Sequence, residues 1–340
     1  MRSDGKRERV VYPATAFFAL PPFFDDSEVN QIPTTADAVI VGGGIVGLTT
    51  ALALARAGLK VCVLERGVPG GEASWAGGGI LSPLPPDDPA HAIRALLDES
   101  LALYPNFCES LRGNTGIDPE YWTCGACVLN DAGEHWFKKV AQVRNPRLIK
   151  ALLLALRQHG VAVCAYTPAL EWRIDAAGLS GIVTTQGVIA SRRAVLAAGA
   201  WSAQLADVAV SPAKGQMLLL RSEGAGPDHI RMDPQAYLIP RKDGRLLIGS
   251  TIEQAGFDRA PTPQARELLL HCARQLWPVG GRWTVEHHWA GLRPQPASDT
   301  PTIAPHPLLV GLFINTGHFR LGLTLAPASA ARCATQVLRV

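Results

Sequence analysis

The stretch Ala36–Arg66, ADAVIVGGGIVGLTTALALARAGLKVCVLER, decides the fold of this chain. Its first run, DAVIVG at 37–42, is short and almost wholly apolar, as a strand buried in a parallel sheet must be. From about Ile45 to Ala57 small residues give way to Leu48, Leu52 and Leu54, and Gly58 ends the helix. KVCVLER is a second strand. Strand, glycine turn, helix and strand within about 30 residues make one βαβ unit, the context that gives GxGxxG its meaning.

The glycines have separate jobs. Gly42 permits the tight turn, Gly44 lets the backbone approach a pyrophosphate, and Gly47 lets the helix pack closely on the strand. The helix start offers free N–H groups and a positive dipole end to phosphates. Glu65 stands about 20 residues on, where an acid accepts ribose hydroxyls and would repel a 2′-phosphate. That argues against NADP. The unit holds a dinucleotide, and which one must come from downstream.

With 340 residues, 47% hydrophobic and 18% charged, the chain can bury one large or two ordinary cores. Its net charge of +3 is interspersed, with no basic block, so nucleic acid is not an expected partner. No apolar run reaches the roughly 18 residues of a membrane span. Residues 1–35 start with charge and carry Pro13, Pro21 and Pro22, which spoil a signal-peptide core. They read as a poorly ordered extension, and the chain as cytoplasmic. Of the seven cysteines, Cys62 and Cys164 fall in strands and Cys272 in a helix, as buried reduced thiols. Cys124 and Cys127 form a CxxC without a second pair at zinc spacing, so they read as two thiols in a strand and no metal site is expected.

Further along, GGEASWAGGGILSPLPP (Gly70–Pro86) has enough small residues for a backbone to lie flat against a large ligand. A nicotinamide enzyme needs no such stretch. Residues 91–112 carry Leu96, Leu97, Leu101, Tyr104, Phe107 and Leu111 near one helical stripe, YWTCGACVLN reads as a strand, and Asn145-Pro146 opens a helix over 147–159. Residues 214–252 are β-like, a helix follows over 262–277, and WTVEHHWAGLRP is a strand. His287 and His288 alternate faces there, so they cannot share one site. The chain ends as strand, turn and helix. The fold class is therefore α/β, with a β-rich middle inserted in a nucleotide domain.

The segments GEASWAGGGILSP, LAAGAWS, KGQML, AYLIPRKDGRLLIGST, WAGLRP and TGHFRLGLTLAPASA follow one another in this order. From about Ala36 to the C-terminus they resemble the D-amino-acid oxidase family of flavoproteins, most closely its glycine oxidases of thiamine biosynthesis. The resemblance implies a Rossmann-like FAD-binding domain with a glutathione-reductase-type βαβ unit, over 36–90, 141–212 and 299–340. An inserted antiparallel β-rich substrate domain would cover 91–140 and 213–298. It implies FAD as cofactor and a small amino acid as substrate. Glycine, small D-amino acids or secondary amines would give up a hydride from the α-carbon to flavin N5. The imine would hydrolyse to a 2-oxo acid and ammonia, with hydrogen peroxide formed if molecular oxygen reoxidises the flavin. A different electron acceptor would make the protein a dehydrogenase, and a flavin-binding protein without catalysis is the reading from another class. A homo-oligomer is left open.

Motif by motif, the resemblance carries FAD contacts onto Ile45 and Val46 in the turn, beside Gly42, Gly44 and Gly47, and onto Glu65 and Arg66 after the second strand. Further contacts fall on Ala73, Ser74, Gly78, Gly79 and Ile80, on Ala169 in YTPALEW, and on Gly199 in LAAGAWS. His318, Phe319, Arg320, Leu321, Gly322, Leu323 and Thr324 would lie along the flavin. Arg293 matches the arginine that binds the substrate carboxylate, Tyr237 a pocket tyrosine, and Arg320 a second pocket arginine. A guanidinium suits the first task because its fork binds a carboxylate bidentately. Tyr237 can donate to the same carboxylate, and a helix starting near Leu321 would point its N-terminus at the flavin. His318 is expected to contribute backbone rather than act as a base. Two departures stand out: Leu321 replaces an asparagine of GHFRNG, and the chain is short between Leu129 and Asn145.

Overall fold

The computed structural model describes residues 32–83 and 91–340. Residues 1–31, most of the expected extension, and 84–90 lie outside it. The last residues of that extension are ordered into the fold: Ala190 donates its N–H to Thr34 O at 2.9 Å, and Thr35 bridges Ala190.

The opening unit forms as read, with β1 (Ala38–Val41), α1 (Ile45–Arg56) and β2 (Val61–Leu64). One helical turn, α2 (Ala73–Ala76), and the two-residue β3 (Ile80–Leu81) precede the long α3 (His91–Thr115). Then come β4 (Ala126–Asn130), β5 (Gly133–Phe137), β6 (Ala141–Gln142), α4 (Asn145–Gln158) and β7 (Ala162–Cys164). The strands β8 (Ala169–Asp175), β9 (Gly178–Thr184) and β10 (Gly187–Ala190) make a small antiparallel layer before β11 (Ala194–Leu196). The middle supplies β12 (Val210–Ser222), β13 (Ile230–Met232), β14 (Tyr237–Pro240), β15 (Arg245–Gly249), α5 (Pro263–Leu276) and β16 (Trp283–Pro296). The chain ends with β17 (Thr302–Pro305), β18 (Leu312–Thr316) and α6 (Gly322–Val337).

Chain ends meet in one sheet, ordered β17-β18-β11-β1-β2-β7 and parallel except for β17. Both its faces are covered, which is why its strands are apolar throughout. Ile40 and Val63 face α1, α4 and α6, whereas Val39, Val41, Cys62 and Leu64 face the β8–β10 layer. The second sheet runs β16-β12-β15-β14-β13-β4-β5. It departs from the expected antiparallel order at one place: β13 pairs with β4 in parallel. The period of two sorts its side chains. Leu218, Leu238 and Ile248 face α5, while Met217, Tyr237 and Ile239 take the opposite face. All seven cysteines are free thiols, Cys127 within β4 and Cys124 just before it.

The stretch 91–140, read above as substrate domain, is divided. Its strands β4 and β5 join the seven-stranded sheet, but α3 seats its apolar stripe on the nucleotide side, with Tyr104 and Leu111 in the α1–α4–α6 core and Leu97 against Leu325. A stripe tells which face is buried and not against what. Here it braces the start of α6: Ser100 Oγ donates to Thr324 O at 2.7 Å and Tyr104 Oη to Leu323 O at 2.5 Å.

Candidate active site

Between the two sheets lies a cavity of about 910 Å³. One wall starts at the β1–α1 turn. Gly42 has φ +116°, and a Cβ there would fall 2.3 Å from Ala197 O, so only glycine fits. Gly44 and the first-turn residues Ile45 and Val46 line the cavity, with the Ile45 N–H donating to Ser74 Oγ at 2.8 Å. The amides of a first helical turn have no partner within the helix, and the N-cap residue Gly44 has no side chain to offer, so the positive end of α1 lies at the cavity. Gly47 is the one residue of the sequence-derived set that does not line the cavity. It acts from behind, where a Cβ would come 1.9 Å from Gly42 O.

Glu65 lies at the end of β2, 8% exposed. Its carboxylate accepts the N–H of Gly43 and of Gly67, both at 2.8 Å. Burial pushes its pKa up, and the two amides oppose that rise. Beside it, Arg66 places its guanidinium carbon 3.5 Å from the ring centre of Trp201, a residue of this wall that the motif reading missed. The glycine stretch continues the wall through Ala73, Ser74, Gly78, Gly79 and Ile80, and Ala169 and Gly199 close the same end.

Gly78 is held by a second residue the sequence did not reveal. Arg241, 8% exposed, donates to Gly78 O (2.9 Å), Gln142 Oε1 (2.8 Å) and Val143 O (3.1 Å). Burial lowers its pKa to about 10. Its signal was an arginine ending an apolar strand in LIPRKDGR, where a charge has no reason to be unless it has partners.

The segment His318–Thr324 lines the far wall. Phe319 sits at φ +47°, Phe319–Leu321 form a single 3₁₀ turn, and α6 begins at Gly322. The substitution at Leu321 has a clear fate: its side chain packs with Leu97 and Leu325, leaving the helix start to face the cavity. His318 is 4% exposed, its Nε2 2.9 Å from Ser329 Oγ, and burial lowers its pKa to about 4. It is neutral at pH 7. Since the unfolded imidazole takes a proton near pH 6.5 and the folded one only near 4, stability falls as pH drops between these values. The wild type is expected to lose about 2–3 kcal/mol more than His318→Asn between pH 7 and pH 4.5. Urea unfolding of the apoprotein at both pH values checks this; equal losses would refute it.

The third wall is the open face of the seven-stranded sheet. Met217, Tyr237, Gly291 and Arg293 all project from it into the cavity, as the period of two requires. Arg293 lies over Gly215, where a Cβ would fall 2.1 Å from its Nη1. Gly291, opposite Gly215 in the ladder, lets β16 close on Ala76. Arg293 Nη2 donates to Ser250 Oγ at 2.6 Å and Arg293 Nη1 to Thr251 O at 3.1 Å. Among the described residues no carboxylate pairs with it. Burial lowers its pKa, Arg320 adds to that, and Tyr237 opposes it. Arg320 lines the same cavity from its exposed rim.

A glycine-lined dinucleotide groove that opens into a chamber floored by a β-sheet defines a nucleotide-dependent oxidoreductase. The profile of the DAO family, described as FAD dependent oxidoreductase, matches residues 37–145 and 130–336. The chain belongs to this family. Glycine oxidase of Pseudomonas aeruginosa is 39% identical over 333 residues, which cover 86% of this chain and 92% of that protein. The crystal structure of glycine oxidase from Geobacillus kaustophilus superposes with a TM-score of 0.86 at 28% identity, over 90% of this chain and 95% of that one. L-proline dehydrogenase from P. horikoshii, at 18% identity and a TM-score of 0.81 over 91% and 94% of the two chains, shares the fold.

The residues present fit FAD. At Gly42 a Cβ would fall 2.3 Å from Ala197 O and at Gly43 2.9 Å from Glu65 Cβ, so the turn keeps a bare backbone, and the α1 N-terminus faces the cavity beside it. Two lining amides, Asn145 and Asn315, keep a buried carbonyl oxygen without a hydrogen-bond partner among the described residues. Among the described residues, no helix is long and apolar enough to cross a membrane, and no cluster of ligands could hold a metal ion.

Proposed function

We propose that the chain oxidises glycine and other small amines that carry a carboxylate, through the cofactor of its family. The observation that carries this is Arg293: a guanidinium largely shielded from solvent, aimed into the cofactor cavity and held only by neutral oxygens. Such a charge retains its attraction for an anion, and its fork fixes the plane of a carboxylate. FAD bound in the groove supplies the two-electron acceptance that takes an amine to an imine.

The protein's own part is orientation and charge. Arg293 takes the carboxylate, with Tyr237 beside it as a further donor. Two cations in one cavity, Arg293 and Arg320, disfavour the protonated amine relative to the neutral one, which is the reactive form. The N-terminus of α6 favours negative charge that builds up across the cavity. No side chain need act as a base, and the buried, neutral His318 is turned toward Ser329. Sheet residues with little room between them, such as Tyr237 above Gly78 and Gly249, favour a small substrate. The glycine oxidase names of the relatives support this class of substrate. Acceptance of electrons by molecular oxygen, with release of peroxide, goes with the same reading.

Anaerobic mixing with glycine, sarcosine and D-alanine tests it. At least one should bleach the flavin absorbance, and air should then restore it with peroxide. Bleaching without peroxide would favour a dehydrogenase with another acceptor. Unchanged absorbance with all three would leave a flavin protein without this activity.

A further inference from the structure

The segment that follows β15 does more than connect it to α5. It leaves β15 at Ser250, runs on beside β12, and reaches the start of α5 at Thr262, and nearly every polar group along it is tied down. Lys214 and Glu253 exchange backbone hydrogen bonds, both at 2.9 Å. The Gln216 backbone N–H donates to Thr251 Oγ1 at 2.9 Å, and that hydroxyl donates to Glu253 Oε1 at 2.5 Å. The Gln216 side chain is fully buried. Its Nε2 donates to Glu253 Oε1 (2.9 Å) and to Thr262 Oγ1 (3.1 Å), and its Oε1 accepts Thr262 N–H (2.8 Å) and lies 3.0 Å from His288 Nε2. Lys214, 1% exposed, reaches the tip of the segment, donating to Asp258 Oδ2 (3.0 Å) and Ala260 O (2.7 Å).

Two buried polar residues on one strand, alternating with Gly215, therefore hold this strap from beneath. Burying an amide and an ammonium is costly unless both are satisfied, and here the strap satisfies them. The strap's first two residues are the ones that hold Arg293, through Ser250 Oγ and Thr251 O. Both acceptors are neutral, so they fix the direction of the guanidinium without cancelling its charge. A carboxylate at that place would compete with the substrate.

We infer that Ser250 is a positioning residue for Arg293, and that the strap pinned by Gln216 sets the guanidinium in the plane that receives a substrate carboxylate. This rests on the reading of Arg293 given above. It assigns to Ser250, which lies near the end of AYLIPRKDGRLLIGST but was given no role there, a part in substrate selection that it plays without touching the substrate.

The test compares Ser250→Ala, Ser250→Thr, Gln216→Met and Arg293→Ala with the wild type as FAD-loaded proteins. Two quantities are read: KM and kcat for glycine, and the Kd of glycolate from the perturbation of flavin absorbance. Ser250→Ala should raise KM for glycine and Kd for glycolate about five- to tenfold, with kcat within about twofold. Ser250→Thr keeps the hydroxyl and should restore both. KM for glycine ethyl ester, which lacks the carboxylate, should not move. Gln216→Met, if it folds, should shift the same two constants in the same direction. Unchanged KM and Kd in Ser250→Ala, while Arg293→Ala raises both, would overturn the inference and leave Arg293 in place. Unchanged constants in Arg293→Ala would overturn the reading of Arg293 itself.

Discussion

Arg293→Ala is expected to raise KM for glycine about 10- to 150-fold while the protein stays yellow. The range is that of losing hydrogen bonds to a charged group, about 1.5–3 kcal/mol, at tenfold for each 1.4 kcal/mol. The cofactor should remain because the residues that would hold its phosphates and ribose, at the α1 N-terminus and Glu65, are remote in sequence and belong to the other sheet. Lysine should not rescue. An ammonium could reach the space above Gly215, but it presents a point charge without the fork, and the acceptors Ser250 Oγ and Thr251 O were placed for two separate nitrogens. Steady-state kinetics with glycine, together with the flavin spectrum of the purified variant, measure both halves. If KM is unchanged, Arg293 does not bind the carboxylate. If the protein is colourless, the guanidinium holds the two sheets together and the kinetic loss says nothing about substrate.

What could be read in advance was what local chemistry dictates. The βαβ unit and the close approaches at Gly42 and Gly47 follow from backbone sterics, and they stand where they were read. The sheet face shared by Tyr237 and Arg293 follows from the period of two within each strand, but their meeting needs β12 and β15 to lie between β16 and β14. No single strand contains that information; the resemblance supplied it. Elsewhere the sequence was silent for the same reason. The stripe of α3 shows a buried face, and only the fold sets it against α6. Gly215 and Gly291 look like ordinary strand glycines until the ladder places them opposite each other, one clearing space for Arg293 and the other for Ala76. Lys214 and Gln216 look like an exposed polar pair in KGQML, yet both are buried, because a strap from 35 to 46 residues away covers them. Long-range partners of polar residues are what period and propensity do not encode.

Gly47→Ala is expected to abolish tight cofactor binding, where Gly113→Ala should leave it intact. One added methyl separates each variant from the wild type, so the contrast isolates position. At Gly47 the new Cβ would sit 1.9 Å from Gly42 O, 3.1 Å from Gly42 C and 3.3 Å from Ile40 Cγ2. Two of these are backbone atoms of the very turn that would cradle the cofactor's phosphates, so no side chain can swing aside. Either α1 moves off β1, losing the packing of Leu48 and Leu52 in the core, or the turn opens and its amides leave the phosphate position. Overpacking of this kind costs about 1–3 kcal/mol or more, which corresponds to cofactor binding roughly 5- to 150-fold weaker if it falls wholly on the bound state. The variant should emerge from gel filtration largely colourless, with a lower melting temperature. At Gly113, inside α3, no atom lies within 4 Å of the added Cβ and φ is not positive, so alanine should only favour the helix, by up to about 1 kcal/mol. Its flavin content should match the wild type and its melting temperature should hold or rise. Retention of full flavin by Gly47→Ala would mean that α1 can shift without cost to the site, and the close packing of helix on strand would no longer explain why that position is glycine.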